Sequence, residues 1–199
     1  MTIRAFRSVV REVADLWDKV AKKISLPPIP KWEHEPPEEH QGTCLEVPSF
    51  RQIDGFSCGV VSGWSVIKGL YPERGRRDFL KFYEDCAPSL EAGTSWNRLI
   101  KALRNQGIGV SLRRGPLSFT ALKKEIENGF PIIAVIDVPA ADYCHWVAVY
   151  GYKEKSSTAR WVYLNNNGLE VIKNGVEVMP FKKFQQLHTD DYLVCWGKV

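Results

Sequence analysis

An α+β fold follows from a change of texture partway along the chain. Between residues 58 and 128 apolar residues recur at spacings of three and four, the mark of helices with one buried face. From Pro131 onward they fall in short runs rich in Val, Ile, Tyr and Trp, the mark of strands. Helices first and strands second is the order of an α+β layout rather than an alternating α/β one. The amount of apolar material agrees: 199 residues, 44% hydrophobic and 12% aromatic, fill one domain and leave an appendage over.

The appendage comes first. Thr2 to Lys23 reads as an amphipathic helix, with Ile3, Phe6, Val9, Val10, Val13, Leu16, Trp17 and Val20 on one stripe and Thr2 as N-cap. The prolines of "SLPPIP" stop it. "KWEHEPPEEHQG" is acidic and proline-rich with almost nothing to bury, so residues 32–43 are expected to be a linker. The expected division is therefore 1–31 helix, 32–43 linker and 44–199 main domain. Residues 1–31 carry seven Lys/Arg against three Asp/Glu, and residues 32–41 carry four Glu and no Lys or Arg. The helix stripe needs a cover. Packing in cis is the first expectation, a partner protein the second, and a membrane surface the third because Glu12, Asp15 and Asp18 oppose anionic lipid.

In the main domain helices are expected over 58–70, 76–86, 95–106 and 118–128. Thr94 and Ser95 are cap candidates for the third, while Ser118 and Gly129 bracket the fourth. Strands are expected in "PIIAVIDV", "CHWVAVYGY", "RWVYLN", "LEVI", "VEVM" and "DYLVCW", with "KNG" as a hairpin turn and "PFKKFQQL" as one short helix. There is no internal repeat and no low-complexity segment.

Charge and cysteine usage exclude several classes. A net charge of +4 with no dense basic stripe does not suit a nucleic-acid binder. Five cysteines, without a CxxC pair or regular spacing, do not make a disulfide framework and point to a reducing compartment. No signal-peptide run opens the chain, and "PIIAVIDV" is too short to span a bilayer, so the expectation is a cytoplasmic protein. "HEPPEEH" lacks an element to hold metal geometry, and neither a metal nor a cofactor is expected.

Chemistry concentrates around Cys58. In "RQIDGFSCGVVSGWSVIKGL" a polar turn gives way to a helix-spaced run at that residue. A thiol in the first turn of a helix sits among unpaired backbone N–H groups and the positive end of the dipole, which favour thiolate. The alternative is a buried structural cysteine, a common fate for that side chain. Gln52 can donate its amide to an oxyanion together with the Cys58 N–H, or it can be a plain loop residue. His145, in the apolar strand "DYCHWVAVYGY", can serve as base for the thiol, or it can be a core histidine tied to a carbonyl. Asn165 ends the next strand, about 4.8 Å away in an antiparallel pair, where its carbonyl can fix the imidazole tautomer. Asn166 and Asn167 compete for that part, or they simply form a turn. Cys144 points to the opposite face from its neighbour His145, and Cys44, Cys86 and Cys195, in a polar loop, on a helix face and in a strand, are read as structural. Gly59 and Trp146, next to Cys58 and His145, are the expected substrate contacts.

Gln52, five residues, then Cys58-Gly59 at a helix start, followed by His145 and Asn165 on strands, resembles a papain-like cysteine peptidase. The likeness is nearest to the bacteriocin-leader-peptidase-like branch. It is carried by "VPSFRQIDGFSCG", "LKKEIENGFPIIAVIDV", "HWVAVYGY" and "VYLNNNG", from Val47 to Gly168. The resemblance implies Cys58 as nucleophile, His145 as base and acid, Gln52 as oxyanion donor and Asn165 as orienter, acting on a peptide or protein. That branch usually has Asp in the third place; an Asn orients the ring without adding charge. Ubiquitin-like-protein proteases share the Gln–Cys-Gly spacing but place His before Cys, where this chain has only His34 and His40. Acyl transfer on the same triad and a non-enzymic interaction domain are the alternatives.

Overall fold

The computed structural model describes residues 42–50, 52, 56–138, 143–166 and 176–197, all within one compact unit spanning Glu38–Val199. The expected N-terminal helix, nearly all of the linker, the strand "LEVI" and the "KNG" turn lie outside the described residues.

A seven-stranded sheet forms the middle layer. Its strands are β1 (Thr43–Cys44), β2 (Gly109–Arg113), β3 (Ile132–Val138), β4 (Tyr143–Glu154), β5 (Arg160–Asn165), β6 (Val176–Pro180) and β7 (His188–Trp196). The order is β2-β7-β3-β4-β5-β6, with all pairings antiparallel and β1 against β4. Five helices are described: α1 (Cys58–Leu70), α2 (Arg76–Cys86), α3 (Trp96–Asn105), α4 (Phe119–Glu127) and α5 (Phe181–Leu187).

Both faces of the sheet are covered, which explains why "PIIAVIDV" is apolar without alternation. Along β3, Ile133 and Val135 join a core with Trp64, Phe82, Leu99 and Leu103 of α1, α2 and α3. The intervening Ile132, Ala134 and Ile136 join a second core with Leu122 and Ile126 of α4 and Phe184 of α5. The described residues thus form helices on sheet on helices, with the helix that begins at Cys58 packed against the antiparallel sheet as expected.

Local chemistry set the helix ends. The hydroxyls of Ser95 and Ser118 accept from the backbone N–H three residues on, at 3.5 and 3.1 Å. Gly129, at φ +80°, closes α4 in a conformation that L side chains rarely adopt. Two elements depart from the sequence reading. Gly109–Arg113, between two helices, forms β2 by pairing with β7. Cys44, expected in a polar loop, pairs with Gly151 in β1, which begins at Thr43, inside the stretch read as linker.

Candidate active site

Helix α1 is the best-buried helix described: every residue from Cys58 to Ile67 is buried. Cys58 is its first residue and is 9% exposed. Ser57 precedes it without a side-chain cap, and no acidic residue occupies the first turn, so the dipole end stays electropositive.

Two contacts fix this end of the helix to β4. One turn after Cys58, the Ser62 hydroxyl donates to the Trp146 carbonyl at 2.9 Å in a buried setting. A Cβ added to Gly59 would lie 2.7 Å from Thr94 Cβ and 3.2 Å from Trp146 Cδ1. The missing side chain of Gly59 therefore lets Thr94 and Trp146 close on the helix, and these two residues already fill the space beside it. Trp146 and Trp96 meet edge to face with ring centroids 4.4 Å apart.

His145 is 4% exposed. Burial pushes its imidazole down to about 4, while a hydrogen bond to the Asn166 side chain favours the charged form. The ring is neutral near pH 7. Its Nε2 is buried and has no hydrogen-bond partner among the described residues.

The asparagine bonded to His145 is thus Asn166, a competitor of the expected Asn165. A bulge supplies the reason. From the hairpin end, β4 and β5 pair Glu154 with Arg160 through Gly151 with Tyr163. Continued unbroken, that register would set Asn165 opposite Val149, four residues from His145 and on its face. The register shifts between Val149 and Gly151, and Asn165 lies opposite Ala148 instead. A slip of one residue exchanges the faces of a strand. Asn165, fully buried, turns its amide to the carbonyls of Pro48 (3.1 Å) and Val47 (3.5 Å). Asn166 shares a face with His145, and its Nδ2 donates to Glu177 Oε2 at 2.8 Å.

Gln52 is 4% exposed, in the segment that the Asn165 amide ties down at Val47 and Pro48. Ser95, of the two cap candidates, caps α3, and Thr94 does not. The Thr94 hydroxyl is buried beside Gly59 with no hydrogen-bond partner among the described residues. Nothing in the local pattern marks Thr94 or Glu177, since both reach the site through distant contacts.

The other four thiols are held protonated. Burial pushes Cys44 up to about 11 and raises Cys86 and Cys195 further. Cys144 is raised by its bond to the Asp137 carboxylate, at 3.2 Å. Among the described residues no group of His, Cys, Asp and Glu could hold a metal ion, and no helix is long and apolar enough to cross a membrane.

No family model matches the chain, and no curated protein matches it. Solved structures do. A double glycine motif protease from an AMS/PCAT transporter, crystallised with its leader peptide, is 22% identical; the match covers 80% of this chain and 99% of that one, with a TM-score of 0.57. The peptidase domain of Streptococcus ComA, a bifunctional ABC transporter of a quorum-sensing pathway, is 17% identical over 77% of this chain and 99% of that one, with a TM-score of 0.56. The chain therefore has the α+β fold of papain-like peptidase domains. Within that class it shares the layout of the double-glycine leader peptidase domains.

Proposed function

We propose that this protein is a cysteine peptidase that cleaves a peptide bond through a thioester on Cys58. The observation that carries the reading is the joining of two segments: the helix that starts at Cys58 is bonded through Ser62 to Trp146, the residue after His145. The Cys58 sulfur attacks the scissile carbonyl carbon. The Gln52 amide and the Cys58 N–H receive the developing oxyanion. The proton from the thiol passes to His145, which returns it to the departing amine. Water then attacks the thioester, giving up a proton to His145, and the acid leaves as the thiol reforms. Asn166 accepts from the imidazole N–H and holds the ring through both steps.

The substrate class that the fold neighbours suggest is a leader peptide with a double-glycine motif, since one of them is a double glycine motif protease in complex with the leader peptide. The crowding of Gly59 by Thr94 and Trp146, the latter backed by Trp96, suits a peptide with no side chains at the scissile bond.

The thiols provide a clean test. By exposure alone, Cys44 and Cys144 should react first with iodoacetamide and the buried Cys58, Cys86 and Cys195 last. The proposal expects Cys58 to be alkylated at least tenfold faster than any other cysteine at pH 7, and a double-glycine peptide to be cut by the protein but not by its Cys58→Ala variant. Labelling in order of exposure, with no cleavage, would overturn it.

A further inference from the structure

We propose that Glu177 is a positioning residue of the Cys58–His145 site: its carboxylate holds the Asn166 amide with Oδ1 turned to His145. The inference rests on the peptidase reading above and adds a residue from a third strand to it.

The register places the three side chains in a diagonal row. Glu177 on β6 pairs with Leu164 on β5, so Asn166, two residues along, projects from the same face as Leu164 and lies diagonal to Glu177. By the shifted register of β4 and β5, Asn166 likewise shares the face of His145. β4, the residue just after β5, and β6 thus contribute imidazole, amide and carboxylate in order.

Chemistry fixes the direction of that row. An ionised carboxylate only accepts hydrogen bonds, so the atom of Asn166 at 2.8 Å from Glu177 Oε2 is the amide nitrogen. The amide is planar, and its oxygen then faces away from Glu177. An oxygen at His145 accepts from the ring N–H and favours the charged ring, which is the sense of the Asn166 contribution to the imidazole. Without Glu177 the amide could turn over and offer N–H to the ring instead. That would stabilise the wrong tautomer and oppose the imidazolium. The carboxylate also polarises the amide, so part of its charge is felt at the imidazole through one intervening group.

The test compares Glu177→Ala and Glu177→Gln with the unaltered protein by two readouts. The first is the rate of Cys58 alkylation across pH. The second is the pair of ring ¹⁵N shifts of His145 at pH 7, which report the tautomer. Glu177→Ala removes both acceptor and charge: alkylation is expected to slow roughly tenfold, the low end of losses seen when a group orienting a functional histidine is removed, and the two ¹⁵N shifts to converge as tautomers mix. Glu177→Gln keeps an acceptor of the same reach: the tautomer is expected to stay, with a loss of roughly threefold, since a neutral hydrogen bond has about half the strength of a charged one. Unchanged rates and shifts in both variants would overturn the proposal while leaving the peptidase reading intact. If Cys58 in the unaltered protein reacts no faster than Cys44, the peptidase reading fails, and the ¹⁵N shifts alone decide whether Glu177 orients the His145–Asn166 pair. Should Glu177→Ala fail to fold, Glu177→Gln read against Asn166→Ala decides: a Gln variant that behaves as the unaltered protein in rate, while Asn166→Ala loses tautomer and rate, shows that the Glu177 charge contributes nothing and overturns the charged part of the row.

Discussion

Replacing Asn166 with Asp asks whether the third residue is where the bulge puts it. In the unaltered protein burial holds His145 at about 4, and a neutral amide is its bonded partner. A carboxylate within hydrogen-bond reach of an imidazole raises its pKa by roughly one to three units, or about 1.4–4 kcal/mol in favour of the imidazolium. Asn166→Asp alone should fall short of that. Glu177 lies 2.8 Å from the atom that becomes a carboxylate oxygen. Two carboxylates so close share a proton, and the pair titrates as a unit. The double variant Asn166→Asp/Glu177→Gln removes the conflict, because the Gln amide donates to the new Asp. The expected result is a His145 value of about 5 to 7 in the double variant, with the single variant between it and the unaltered protein. Proton NMR of the imidazole, with the pH profile of Cys58 alkylation alongside, measures both. Asn165→Asp is the control: it cannot donate to the Val47 and Pro48 carbonyls, so it should destabilise the fold by about 1–3 kcal/mol without raising His145. The reasoning is refuted if the double variant moves His145 by less than about half a unit, or if Asn165→Asp moves it more.

Acid should weaken the protein through His145. Its folded value, about 4, lies below the usual value of 6.5 for the unfolded chain, so the unfolded state binds the extra proton between those limits. Stability falls as pH drops through that window, by up to about 3 kcal/mol; urea unfolding at pH 7 and pH 4.5 should show a loss that His145→Gln largely abolishes. Ser62→Ala removes the buried bond to the Trp146 carbonyl and should cost about 1 kcal/mol, a fall in melting temperature of roughly 2–4 °C for a domain of this size, together with slower Cys58 alkylation. Loss of stability with no change in alkylation would show that the bond does not set the site.

The helices were legible because their ends are written locally. The expected spans 58–70 and 76–86 are the observed ones, and Ser95 and Ser118 cap the next two as read. Their buried faces need only the spacing of three and four. Strand β2 was not legible: five residues of Gly109–Arg113 carry little alternation, and their place is fixed by pairing with β7, more than seventy residues on. The covering of the sheet on both faces was partly visible in the unbroken apolar run of β3, but which helices lay on which face needed the strand order. For the site, residue types were readable and partners were not. A cysteine opening a helix and a histidine in an apolar strand stand out in a single sequence. Glu177 did not, because in "VEVM" it looks like any outward residue of an edge strand.

The three asparagines of "LNNNG" show what kind of information decides such a site. A β-hairpin read from its turn predicts faces correctly only while its ladder is unbroken. Here the ladder slips once, near Tyr150, and that slip carries Asn166 to the imidazole and Asn165 to the strap at Val47 and Pro48. One puts an amide within hydrogen-bond reach of the ring. The other holds the backbone at Val47 and Pro48. A variant that removed the bulge would swap the two duties, placing Asn165 on the face of His145 and releasing the strap. The place of each asparagine is therefore set less by its identity than by the single extra residue of β4 that sorts them.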